Sequence, residues 1–152
     1  MNTRCVIGIG CDDHGDQIAG LLVARAVRAH DSGGMTVVES SGAPEELVHA
    51  WSGGGGVVVV EAMPGDRPGR VHRCRPHPRQ IGFGCSSTLL SARLREALAM
   101  GPLPDRVTVI TIEATCFVHR APVTPAVAQA AADVAASIAP GVDAAALAGA
   151  RS

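Results

Sequence analysis

Val57-Val58-Val59-Val60-Glu61 is the stretch whose reading decides the fold. Four consecutive β-branched residues favour a strand, and a run without polar alternation is typical of one buried on both faces. Gly53-Gly54-Gly55-Gly56 marks a turn ahead of it. Working outward, Cys5-Val6-Ile7-Gly8-Ile9, residues 35–39 and residues 106–112 have the same short apolar character. Between them lie helical spacings. Residues 16–29 repeat apolar side chains at Ile18, Leu21, Leu22, Ala26 and Val27, and residues 87–100 do so at Leu90, Leu94, Ala97 and Leu98. Pro44 suits the first turn of a short helix ending at Trp51. Thr124 fits an N-cap and Pro125 the first position of a last helix running to about residue 139, which Pro140-Gly141 ends. Residues 69–74 read as an extended edge and 76–84 as a loop. Strands alternating with helices predict a three-layer α/β/α sandwich around a mostly parallel sheet of about five strands. Residues 1–140 form one domain in this reading, and residues 141–152 an Ala-rich tail.

The chain has 152 residues, 47% hydrophobic and 18% charged, with a formal net charge of -1. That length is enough to bury about 70% of the surface an unfolded chain exposes. The balanced charge argues against a nucleic-acid partner held by bulk electrostatics. All thirteen basic residues are Arg, Tyr is absent, and the aromatics are Trp51, Phe83 and Phe117, so Val, Leu, Ile and Ala must fill the core. No apolar run approaches membrane-spanning length, and the N-terminus lacks the apolar stretch of a signal peptide. Cys5, Cys11, Cys74, Cys85 and Cys116 are scattered, which predicts free thiols and a reducing cytoplasm.

Ligands in such folds bind beyond the carboxyl ends of the strands. That rule selects the first loop, Gly8-Ile9-Gly10-Cys11-Asp12-Asp13-His14-Gly15-Asp16-Gln17. Its Gly-x-Gly start suggests a dinucleotide, but Asp13 stands where the third Gly belongs, and the carboxylates repel a pyrophosphate. Three acids and an imidazole in five residues suit a cation, or else cap the following helix. Glu61 and Glu113 each follow an apolar strand and so read as rim carboxylates, either ligands or partners of Arg67, Arg70 or Arg73.

These segments together resemble the hydrogenase maturation proteases, which trim the C-terminal extension from the large subunit of nickel–iron hydrogenases. The resemblance runs from residue 4 to residue 138. It is carried by Ile7-Gly8-Ile9-Gly10 with Gly15-Asp16 and Gly20, by Glu39-Ser40-Ser41-Gly42, and by residues 57–62 with Pro68-Gly69-Arg70-Val71-His72. Residues 86–98, Gly101-Pro102-Leu103-Pro104, residues 107–113 and Thr124-Pro125-Ala126-Val127 complete it. Three strand-end side chains bind a divalent metal in that family. Carried over, these positions fall on Gln17 (with the family acid Asp16 before it), Glu61 and Ser86. Gln17 carries no charge and Ser86 no imidazole, so His14 is a candidate substitute, with His77 and the thiols of Cys11 and Cys85 as further ones.

The resemblance implies a cytoplasmic endopeptidase, monomeric or weakly oligomeric. Its partner would be a hydrogenase large-subunit precursor. It would have no cofactor of its own and would sense the nickel already inserted in its substrate. The altered ligand positions also support an alternative, a non-catalytic relative that binds or chaperones the precursor without cutting it. Ser86-Ser87-Thr88 admits a third reading as a nucleophile, against the commoner role of helix capping.

Overall fold

The computed structural model describes residues 3–31, 33–76 and 90–139. Within these residues five strands form one sheet: β1 (Thr3–Ile9), β2 (Thr36–Ser40), β3 (Gly56–Pro64), β4 (Val71–Cys74) and β5 (Arg106–Ala114). Their order is β2-β1-β3-β5-β4, with every neighbouring pair parallel except the antiparallel β4–β5 edge. Among the described residues four α-helices cover the sheet: α1 (Ala19–His30), α2 (Pro44–Trp51), α3 (Ala92–Met100) and α4 (Pro125–Ile138). The architecture is the anticipated α/β/α sandwich.

Period-two alternation divides the core into two halves. Val6, Val58, Val60, Ile110 and Ile112 pack with Leu22, Val23 and Val27 of α1 and Val127, Ala131 and Val134 of α4. On the other face, Ile7, Val57, Val59, Val107 and Val109 pack with Leu47 and Trp51 of α2 and Leu94 and Leu98 of α3. Burying each of these larger aliphatic side chains stabilises the fold by roughly 1.5–3 kcal/mol before chain entropy is counted. The Val57–Val60 run has side chains in both halves, as expected of a central strand.

The glycines of the opening motif serve packing. A Cβ on Gly8 would lie 2.1 Å from the Gly20 carbonyl oxygen. A Cβ on Gly20 would lie 2.2 Å from the Ile9 carbonyl oxygen and 2.4 Å from that of Val60. Strand β1 and helix α1 therefore touch backbone to backbone, which leaves no room for any side chain.

Several details differ from the sequence reading. Residue 16 does not begin α1: Gly15–Ile18 forms a separate 3-10 turn, tightened by the Asp16 N–H donating to the Cys116 carbonyl at 2.7 Å. Helix α3 begins at Ala92 rather than at residue 87, because Ser91 caps it by accepting the Leu94 N–H. Strands β3 and β5 continue past Glu61 and Ile112, because their ladder runs on to Pro64↔Ala114. Thr124 occupies the N-cap position of α4 without capping through its side chain; its hydroxyl donates to Asp16 instead, a charged and stronger acceptor. The expectation of free thiols holds at Cys5, Cys11 and Cys116 and fails at Cys74, which is disulfide-bonded. Among the described residues no helix is long and apolar enough to cross a membrane. The tail from residue 141 lies outside the described residues.

Candidate functional site

From β1 the chain passes to β2 on one side, whereas β3 lies on the other. The carboxyl ends of β1 and β3 therefore flank the crevice where ligands bind in this architecture. A cleft of about 480 Å³ opens there, lined by Ile9, Gly10, Cys11, Gln17, Ser41, Gly42, Glu61, Ala62, Ser91 and Arg93. Four sequence segments meet in it: the first loop, the β2–α2 turn, β3 and the start of α3. Arg93 ties two of them together by donating to the Ser41 carbonyl at 3.0 Å.

Glu61 is the carboxylate of this cleft among the described residues. It lies within β3, opposite Thr111 of β5, and only 7% of its surface is exposed. The Ser91 backbone N–H reaches its Oε1 at 3.4 Å, a long and weak contact. Burial therefore dominates and pushes the carboxyl above the ordinary glutamate range, with the Ser91 contacts opposing it. The neighbouring Thr111 hydroxyl is buried without a hydrogen-bond partner among the described residues. Gln17 shares the cleft wall and contributes a neutral amide.

Asp16 does not line this cleft. It is fully buried and faces the segment between β5 and α4. Its carboxylate accepts four hydrogen bonds: from the Thr115 N–H at 3.1 Å, the Cys116 N–H at 3.0 Å, the Thr124 N–H at 2.6 Å and the Thr124 hydroxyl at 2.8 Å. Asp16 thus acts as the buried staple of the β5–α4 loop, and its lone pairs are largely occupied.

The remaining first-loop groups form a second cluster at the surface. Cys11 Sγ donates to Asp13 Oδ1 at 2.9 Å and lies 3.3 Å from His14 Nδ1, which is 2.8 Å from the same carboxylate oxygen. His119 approaches from the β5–α4 loop, its Nδ1 3.7 Å from Asp13 Oδ2 and its ring 5.0 Å from that of His14. The hydrogen bond to Asp13 raises the Cys11 thiol pKa, and the same bond, with His14, lowers that of Asp13. Asp12 is engaged elsewhere, paired with Arg25 at 2.8 Å. Cys11 belongs to both this cluster and the cleft; His14 belongs to the cluster alone.

Glu113 is a rim carboxylate of a different kind. It pairs with His72 Nε2 at 2.7 Å and accepts the Arg67 N–H at 3.0 Å, so it anchors the β3–β4 turn to β5. The histidine contact holds its carboxyl below the usual range. The sequence reading left Glu113 as either a ligand or the partner of an arginine side chain; its side-chain partner is His72, which β4 carries alongside Thr111. Ser86, Ser87, His77 and Cys85 lie outside the described residues. Ser91 and Arg93 were not anticipated in the site. Their signal was the Ser-x-x-Leu spacing of a capped helix, which places that helix end beside Glu61.

The fold has solved counterparts. The chain superposes on the endopeptidase HycI from Escherichia coli with a TM-score of 0.73 and 21% identity, covering 91% of this chain and 90% of that one. The [NiFe] hydrogenase maturation protease HycI from Thermococcus kodakarensis KOD1 gives 0.66 and 23%, covering 91% of each chain. The hydrogenase maturating endopeptidase HybD from E. coli gives 0.65 and 16%, covering 90% of each. No protein-family model matches the sequence, nor does any curated protein. The class defined here is one of fold: an α/β/α sandwich of the kind found in hydrogenase maturation endopeptidases, present over nearly its full length.

Proposed function

We propose that the protein is a cytoplasmic endopeptidase of the hydrogenase-maturation type. It removes the C-terminal extension of a nickel–iron hydrogenase large-subunit precursor after nickel insertion. The observation that carries this reading is Glu61, a buried carboxylate in the cleft at the switch point of that fold, its carboxyl raised by burial. A carboxylate in this state is stabilised when a cation arrives. Gln17 beside it adds a neutral carbonyl, a weaker donor for a hard divalent ion. One charge and one amide suit contact with a nickel ion that the precursor's own ligands already hold. In this reading the nickel belongs to the substrate, and Glu61 reports its presence. Ser91 N–H orients the Glu61 carboxylate, and Arg93 fixes the cleft wall against the Ser41 carbonyl. Ser86 stands at the third position that the family resemblance implies.

The neutral Gln17 also favours a second reading, a non-catalytic relative that holds the precursor without cutting it. Incubation with a nickel-loaded precursor separates the two. Loss of mass equal to a C-terminal peptide supports the peptidase; a stable complex of unchanged mass supports the binding protein. Glu61→Gln should abolish processing while leaving a folded chain. Unaltered processing by that variant would remove Glu61 from the mechanism.

A further inference from the structure

We propose that Cys11, Asp13, His14 and His119 form a binding site for a borderline-soft divalent transition metal, zinc or nickel, separate from the Glu61 cleft position. One ligand atom each from Cys11, Asp13 and His14 lies within 4.8 Å of the other two. The donor set is one thiol, one carboxylate and one imidazole, with a second imidazole 3.7 Å from the carboxylate. Thiolate and imidazole select zinc or nickel over calcium and magnesium, which prefer all-oxygen shells. The three atoms are now at hydrogen-bond distances. Opening that triangle by about half an ångström gives the separations a tetrahedral ion requires. Asp13 and the two histidines sit on partly exposed side chains that can make this adjustment by rotation.

The cluster joins two loops that are remote in sequence. The Arg120 N–H donates to the Asp13 carbonyl at 2.6 Å, and Arg120 adopts a left-handed φ of 61°. Next to it stands His119, the ligand from the second loop. The Asp16 staple holds the base of that same loop. Histidine placement therefore rests on backbone contacts that are present before any ion binds. On binding, the Cys11 S–H bond breaks, the sulfur forms a bond to the metal, and the proton leaves to solvent. The Arg25 pairing keeps Asp12 out of the set.

Cobalt(II) alone is the probe, titrated into the chelator-treated full chain and followed by absorption. The expected result is one equivalent bound, with a thiolate-to-cobalt charge-transfer band in the near ultraviolet. Cys11→Ser should abolish the band. His14→Ala and His119→Ala should each weaken binding tenfold or more, and Asp13→Asn supplies an independent variant should Cys11→Ser fail to fold. Glu61→Gln and Cys116→Ser should bind cobalt as the parent does. The proposal is overturned by a folded parent without the band, by a band that persists in Cys11→Ser, or by loss of binding in Glu61→Gln. It stands independently of the peptidase reading, since neither the titration nor the processing assay needs the other to succeed.

Discussion

Asp16 and Glu61 are both buried acids near the carboxyl ends of the central strands, yet their surroundings differ in kind. Asp16 accepts four hydrogen bonds from one loop. Among the described residues Glu61 is met by Ser91 at the start of α3, whose backbone N–H lies 3.4 Å away. The first arrangement makes burial of a charge sustainable, because hydrogen bonds replace the lost water. In the second, burial outweighs the Ser91 contacts and holds the carboxyl above its ordinary range. Burial and residue type alone would have classed the two together. Among the described residues it is the hydrogen-bond partners that separate them.

The largest effect should follow from Asp16→Ala. Four donors around it lose their acceptor, and the expected cost is roughly 3–5 kcal/mol, read as a lower denaturant midpoint at unchanged slope. A loss under about 1 kcal/mol would show that the staple is dispensable and would weaken the contrast. Thr124→Val removes only the hydroxyl contact and should cost about 1.5 kcal/mol on the same measurement.

Glu61→Gln should act in the opposite direction on stability. The raised Glu61 carboxyl binds a proton in the native state that the unfolded chain has already lost. Between the ordinary glutamate range and the raised value, stability therefore falls as pH rises. Removing the group should raise Tm at neutral pH and leave little difference near pH 4.5, the ordinary value. A gain of about 1 kcal/mol would appear as roughly 2–4 °C for a chain of this size. Parallel thermal scans of parent and variant across that pH range decide the matter; a gap that widens toward acid would refute the assignment.

Gln17→Glu sharpens the comparison most gently. In a Cys11→Ser background, which removes the thiolate of the surface cluster, a second carboxylate in the cleft should strengthen binding of nickel(II) alone, measured by calorimetry at neutral pH, by tenfold or more. Equal affinity in parent and variant would mean that Gln17 and Glu61 do not act on one ion.

Much of this architecture could be read from residue patterns. Val57–Val60 and the alternating helices define the layers, and β-branched content separates strand from helix where periodicity is ambiguous. The cleft position of Glu61 follows from that topology. The orientation of Asp16 does not, because its partners lie about a hundred residues away and the 3-10 turn that aims it depends on the Cys116 carbonyl. Likewise, the approach of His119 to Asp13 depends on one left-handed residue, Arg120, whose type gives no hint of it. Ser91 escaped notice because a longer helical spacing, beginning at residue 87, swallowed its cap.

Gly20 sits between the carbonyl oxygens of Ile9 and Val60, touching the two strands that flank the cleft. Main chain on main chain has no rotamers with which to adjust. The jaw formed by β1, β3 and the start of α1 is consequently stiff, and its gape is fixed when the sheet forms. Whatever enters there must conform to that jaw, and any adaptation to differently shaped ligands has to come from the facing wall that carries Ser91 and Arg93.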